Sequence, residues 1–306
     1  MAITQHLPNF TFTDRGVHGK FDADLYIPDG NNNPNDLSAN AVLAITLKVC
    51  LKQDNTGTGR TLSAPYKFAP WPATQWNSFI ARFTDSANFW QNRFWLVLDP
   101  NKINSTEYRA IKNELAVPEM LSIFPRTWLS YRRNIKCNFR LQIVDSAAHK
   151  TLNVQYIVDA TGSPIHSQYT HRSDDSNVDV GDTHSDSNSM NCISHEIGHL
   201  LGLAHIGVVT DYAPCVAVIS TSDGGNNDVC YNGATDTYTD NIMGHGGKLD
   251  YRQSLPWRRA FDAMSGVPLT YYIVHPMAYT PKAAGAPETI IDTGAWYVPW
   301  NFPITK

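Results

Sequence analysis

The sequence predicts an α/β fold of the α+β kind, a mixed sheet with helices packed on it, and three observations carry that prediction. Apolar residues alternate with polar or small ones along 42–51, 135–143 and 152–158, the period of strands with one buried face. At 76–90, apolar residues recur instead at three- and four-residue steps, the period of a helix that buries one stripe. No repeat at a solenoid or propeller period and no long low-complexity tract divides the chain, so 1–306 reads as a single domain. With 42% hydrophobic and 11% aromatic residues, it has enough apolar material for one core.

The first strand alternates Leu43, Ile45, Leu47, Val49 and Leu51, and the flanking NNNPND and DNTGTG stretches close it off. Pro72 is expected in the first turn of the helix, where a missing N–H costs nothing; Trp76, Phe79, Ile80, Phe83, Ala87 and Trp90 form its apolar stripe. A short apolar strand at 94–98 and a helix capped by Ser105 follow. Ile135, Cys137, Phe139, Leu141 and Ile143 alternate, as do Leu152, Val154, Tyr156 and Val158 after a turn near Ser146. From 159 to 189 Asp, Ser, His, Thr and Gly dominate, and such a stretch is expected as an exposed loop because it cannot bury enough apolar surface. The stretch from His205 to about 241 is similar. A last helix is expected at 256–264, ended by Gly266; the tail beyond it has no clear period.

A net charge of -4 and a pI near 6.2 argue against a nucleic-acid surface. The opening MAITQHLPNFTFTDRG shows no basic start followed by an apolar run. Neither a secretory signal nor a membrane span is visible there, so for a secreted or exported protein either the mature sequence begins at this point or export from the cytoplasm uses another route. Five cysteines, Cys50, Cys137, Cys192, Cys215 and Cys230, are too few and scattered for a disulfide scaffold. Cys215 and Cys230 can either bridge their loop or stay buried thiols.

The chemistry is concentrated at 195–205, which reads His195-Glu196-Ile197-Gly198-His199-Leu200-Leu201-Gly202-Leu203-Ala204-His205. Two histidines four residues apart project from one helix face, so both imidazoles can reach one Zn²⁺. Met190, Ile193, Ile197, Leu200 and Leu201 fall on the opposite side and can pack on the sheet. Glu196 is offset from the pair, where a carboxylate can take a proton from zinc-bound water without becoming a ligand. Gly202 lets the chain leave the helix at positive φ and bring His205 back as third ligand. Three neutral imidazoles leave a fourth position for water, as in catalytic sites. Any one of these histidines alone would read as a surface residue. With 11 histidines in 306 residues, however, a chance match of all five fixed positions is on the order of one in ten thousand.

This stretch is the HExxHxxGxxH motif, and with Asn241-Ile242-Met243-Gly244-His245-Gly246 downstream the chain resembles the metzincin clan of zinc metallopeptidases. The resemblance implies a zincin fold. A twisted mixed sheet and two long helices would form an N-terminal subdomain at 1–205 that includes the zinc helix, and 206–306 an irregular C-terminal subdomain with the methionine turn and one helix. It also implies that Met243 forms an apolar base beneath the histidines. Where astacin-like and serralysin-like members carry a tyrosine two positions after the methionine, this chain has His245. His245 either donates a hydrogen bond to the reaction oxyanion or joins the ligands, or else is a surface histidine in a glycine-rich turn.

Ile206 replaces the polar residue, acid or proline that marks several subfamilies after the third histidine. The loop with Cys215 and Cys230 looks somewhat pappalysin-like, and Gly181-Asp182-Thr183-His184-Ser185-Asp186 resembles the structural metal loop of matrixins. Asp182, His184 and Asp186 are thus candidates for a second metal, Ca²⁺ or zinc, with a solvated polar loop as the alternative. Cys192, a turn before His195, is expected to be structural.

The expected activity is that of a zinc-dependent endopeptidase acting on protein or peptide substrates, with Glu196 as general base. A catalytically degenerate zinc-binding recognition protein is the alternative from another class. An exported toxin or effector is compatible with peptidase activity, and an inhibitor or delivery machinery would be its further partner.

Overall fold

The alternating stretches pair edge to edge in the computed structural model, which describes residues 4–14, 16–26, 40–56, 65, 67–98, 134–163, 177–179, 192–205, 241–244, 247–265 and 272–275. In chain order the elements are strands β1 (Thr4–Asp14), β2 (Val17–Tyr26), β3 (Asn40–Asp54) and β4 (Lys67–Phe68), helix α1 (Ala73–Ala87), and strands β5 (Phe94–Leu98), β6 (Asn134–Ile143), β7 (Lys150–Gln155), β8 (Ile157–Val158) and β9 (Asn177–Asp179). Helices α2 (Cys192–Leu200) and α3 (Leu255–Ser265) and strand β10 (Tyr272–His275) follow.

The main sheet runs β1-β2-β3-β6-β5-β10. Only β3 and β6 pair parallel along that path, and residues 55–133 supply the crossover that parallel pairing requires. Strand β7 pairs parallel with the far end of β3, and β9 with β7. Lys48 and Val49 place β6 and β7 on opposite edges of β3: the Val49 carbonyl accepts from Val144 N–H, the Lys48 carbonyl from His149 N–H. β7 thus takes over the edge that β2 leaves. This is the mixed α+β architecture that the sequence predicts.

Being central, β3 is buried on both faces for much of its length: Leu43, Ile45, Leu47 and Val49 on one, Ala44, Thr46 and Cys50 on the other. Pro72 stands just outside α1 as its N-cap, extended at φ -67 and ψ 139, rather than inside the first turn. Its carbonyl accepts from Trp76 N–H, and a short 3-10 turn, Asn88–Trp90, carries the stripe on to the buried Trp90. A similar turn, Tyr251–Ser254, leads into α3 and is closed by a capping box between Asp250 and Gln253. One apolar core joins β2, β3, β5, β6 and β7 to all three helices. Cys50 and Cys137 are buried free thiols within it. No described helix is long and apolar enough to cross a membrane.

Four strands of the main sheet escape the sequence analysis. β1 and β2 form an antiparallel hairpin whose register shifts between Leu7 and Phe10, where Asn9 sits at φ 50; the extra residue breaks the apolar period of β1. In β2 the buried positions include Gly19 and Asp22, so its inward face does not read as apolar. The polar stretch expected as a loop contributes β9, and the tail contributes β10, paired antiparallel with β5. The helix expected after Ser105 lies outside the described residues.

Candidate metal centre

Helix α2 is fixed from behind before its histidines matter. Ile193, Ile197, Leu200 and Leu201 are fully or almost fully buried in the core. Ser194 donates its hydroxyl to the Ser86 carbonyl at 2.8 Å, and Trp90 donates its indole N–H to the Ser194 carbonyl at 2.8 Å. The two bonds tie the first turn of α2 to the end of α1 and to the 3-10 turn that follows it.

The other end of α2 closes in a Schellman motif. Leu203 N–H donates to the Gly198 carbonyl at 2.9 Å and Gly202 N–H to the His199 carbonyl at 2.8 Å, with Gly202 at φ 87. The sequence predicts this role for Gly202, and here a Cβ would also strike Gly19 backbone atoms at 2.7 and 2.8 Å. The turn reverses the chain so that His205 faces the two helical histidines.

His195, His199 and His205 are all buried, and their Nε2 atoms form a triangle with edges of 3.0, 3.1 and 3.1 Å. The far nitrogens decide what that triangle can be. His195 Nδ1 lies 2.5 Å from the Ile242 carbonyl oxygen and His199 Nδ1 lies 2.7 Å from that of Leu203. A carbonyl only accepts, so each Nδ1 carries the proton and, in a neutral imidazole, each Nε2 is a bare lone pair. Two bare lone pairs 3.1 Å apart repel each other, and a single proton on His205 cannot bridge three edges. A cation among them turns this repulsion into coordination. The triad can therefore hold a metal ion, and it is the one such cluster of His, Cys, Asp or Glu among the described residues.

Met243 lies against α2 as an apolar floor. It is fully buried, and a Cβ added at Gly198 would sit 2.3 Å from its Sδ, 3.0 Å from its Cε and 3.1 Å from Trp90 Cζ2. The turn carrying Met243 is fixed by Asn241, whose Oδ1 accepts from Met243 N–H at 2.9 Å. Its Nδ2 donates to Gln253 Oε1 at 3.0 Å and Asp250 Oδ2 at 3.1 Å. Ile242 N–H donates to the Lys248 carbonyl at 2.8 Å. The same turn thus supplies both the floor and, through the Ile242 carbonyl, the group that orients His195. Glu196 is buried beside the triad in sequence, with 4% of its surface exposed.

Sequence reasoning identifies the three histidines, Glu196, Gly202 and Met243; the structure brings the histidines together and packs Met243 against α2 at Gly198. It misses Gly198, one of the unfixed motif positions, as well as Gly19, Ser194 and the Ile242 carbonyl. Only Gly198 left a trace in the sequence, as a glycine inside a helix where glycine is unfavourable without a packing reason. His245, Asp182, His184, Asp186, Met190, Cys215, Cys230 and the side chain of Cys192 lie outside the described residues. No family model matches the chain, and neither a curated protein nor a solved structure is found to be similar to it.

Proposed function

We propose that this chain is a zinc-dependent endopeptidase of the metzincin type, with His195, His199 and His205 as ligands and Glu196 as general base. One observation carries the reading: three buried imidazole Nε2 atoms converge, two of them with their protons held on the far nitrogen, on the helix that bears the buried Glu196. Neutral imidazoles suit zinc, and tetrahedral bonds of about 2.0–2.1 Å imply N···N edges of about 3.3 Å. The observed edges of 3.0 and 3.1 Å fit after an opening of a few tenths of an ångström.

When bound, zinc supplies a Lewis acid and a water acidic enough to attack a carbonyl at neutral pH. Glu196, displaced about 100° around the helix from His195, takes the proton of the attacking water and passes it to the leaving amine. His195 and His199 keep the orientation fixed by the Ile242 and Leu203 carbonyls, and Met243 excludes water from below. We assign to His245, two positions after Met243 in the sequence, the donation of a hydrogen bond to the oxyanion of the tetrahedral intermediate.

The test is elemental analysis of the purified protein followed by incubation with a peptide library, with and without a chelator. Near one equivalent of zinc and chelator-sensitive internal cleavage are expected, with Glu196→Ala retaining zinc and losing about 10²–10⁴-fold in rate. Chelator-insensitive cleavage, or a fully active Glu196→Ala protein, refutes the mechanism. The burial of all three ligands favours a second reading, a closed metal site in a recognition protein. Its signature is stoichiometric metal without any cleavage.

A further inference from the structure

We propose that the β1–β2 hairpin acts as a bracket that positions His205, with Gly19 as its positioning residue; this rests on the triad being a metal centre. Helix α2 by itself sets the spacing of His195 and His199. The third imidazole comes after a turn, and only Leu203 and Ala204 separate Gly202 from His205, so any swing of the turn reaches the ligand.

What stops that swing is backbone against backbone. A Cβ at Gly19 would lie 2.5 Å from the Leu201 carbonyl oxygen, 2.8 Å from its carbon and 2.9 Å from Phe12 Cε1. In the reverse direction, a Cβ at Gly202 would meet Gly19 N at 2.7 Å, Gly19 Cα at 2.8 Å and Phe12 Cζ at 2.8 Å. Two glycines therefore let β2 lie directly on the ligand turn, with the Phe12 ring of β1 closing the gap. Gly202 needs to be glycine for its φ of 87, but Gly19 has no positive φ, so its identity answers to this contact alone.

A bracket must itself be held. Three residues beyond Gly19, the Asp22 carboxylate is buried and accepts from Asn9 N–H at 2.8 Å, Lys48 Nζ at 2.7 Å and His149 Nε2 at 3.1 Å. His149 Nδ1 accepts from Lys48 N–H at 2.9 Å, so its proton resides on Nε2, facing Asp22. This network joins the bulge of β1 and strand β2 to β3 and to the start of β7. The hairpin is thereby nailed to the sheet centre at Asp22 and leans on the ligand turn at Gly19.

The test uses the metal-free full chain titrated with Co²⁺, whose visible absorption reports ligand number and geometry. Wild type is expected to give the intense spectrum of a low-coordinate nitrogen site. Gly19→Ala, which pushes the turn by a few tenths of an ångström or more, should weaken Co²⁺ binding by about 10–100-fold and alter the spectrum. His18→Ala, an exposed neighbour on the same strand, should leave both unchanged. A folded Gly19→Ala protein with wild-type affinity and spectrum overturns the bracket, because a role confined to stability would lower the unfolding midpoint and leave coordination alone. If Gly19→Ala does not fold, Phe12→Ala decides in the same way, with weaker binding expected and unchanged binding overturning the proposal. Absence of Co²⁺ binding by wild type would overturn the metal centre itself, and the bracket with it.

Discussion

The contact between Gly198 and Met243 makes a prediction whose sign can be worked out from distances. Gly198→Ala puts a methyl group 2.3 Å from Met243 Sδ, whereas nonbonded carbon contacts are comfortable at about 3.5–4.0 Å. The sulfur must retreat by about 1.2 Å or more. It has little room, because Met243 is fully buried and its N–H is held by Asn241, and the new methyl group itself would also lie 3.1 Å from Trp90 Cζ2. Overpacking of this kind costs about 1–3 kcal/mol, against which alanine regains about 0.8–1 kcal/mol of helix propensity. A net loss of up to about 2 kcal/mol is expected. Met243→Ala alone leaves a cavity and costs about 2–5 kcal/mol. In that background the new methyl group enters vacated space, so Gly198→Ala should stabilise the protein by up to about 1 kcal/mol. Denaturant unfolding of the metal-free wild type, both single variants and the double variant measures this coupling. Additivity within about 0.5 kcal/mol, or a stabilising Gly198→Ala in the wild type, refutes the packing argument.

Acid should weaken the hairpin anchor in two steps. Burial holds the His149 imidazole below its ordinary value, against the pull of Asp22 and with the help of Lys48 and Lys20. Its contribution is present above about pH 6.5 and lost progressively as pH falls from there through the lowered folded value. Burial would raise the Asp22 carboxyl, but the Asn9 amide, Lys48 and His149 outweigh it and lower the pKa, so its contribution goes only below about pH 4. The thermal midpoint of metal-free wild type should exceed that of His149→Gln most at pH 7–8, and the gap should shrink towards pH 5; a constant gap would remove the assignment. His245→Phe should lower kcat while the zinc content stays near one equivalent, and unchanged turnover would deny His245 a place in the reaction.

The parts of this fold legible in the sequence are those whose signal is local. α1 and α3 announce themselves by period, and β3, β6 and β7 by alternation, because each buries an apolar face, although in β6 that face ends at Phe139, with Leu141 half-buried and Ile143 exposed. β2 was illegible because its inward positions are occupied by Gly19 and Asp22, which serve a backbone contact and a polar network rather than a hydrophobic surface. β1 loses its period at the Asn9 bulge, and β9 and β10 have only three and four residues. The same division runs through the candidate site. All three histidines of the candidate centre lie within 195–205 and could be read from one stretch, whereas the groups packed around them come from Ile242, Gly19, Ser86 and Trp90.

That division has a physical basis in how little the ligand cluster asks of its surroundings. The helical repeat sets His195 and His199, and the Schellman turn at Gly202 sets the return of His205; His199 even finds its Nδ1 acceptor within the turn, at Leu203. What the stretch cannot supply is an acceptor for His195 Nδ1, a floor beneath Gly198 and a stop behind Gly202. Each is a generic object, a carbonyl, a thioether and a strand backbone, that many sheets could present. This chain meets the first two with a single turn at 241–244 and the third with the hairpin. Disturbing Asn241 should therefore move both His195 and the floor, whereas disturbing Gly19 should move His205 alone. The two supports are separable, and the Co²⁺ spectrum is the observable that separates them.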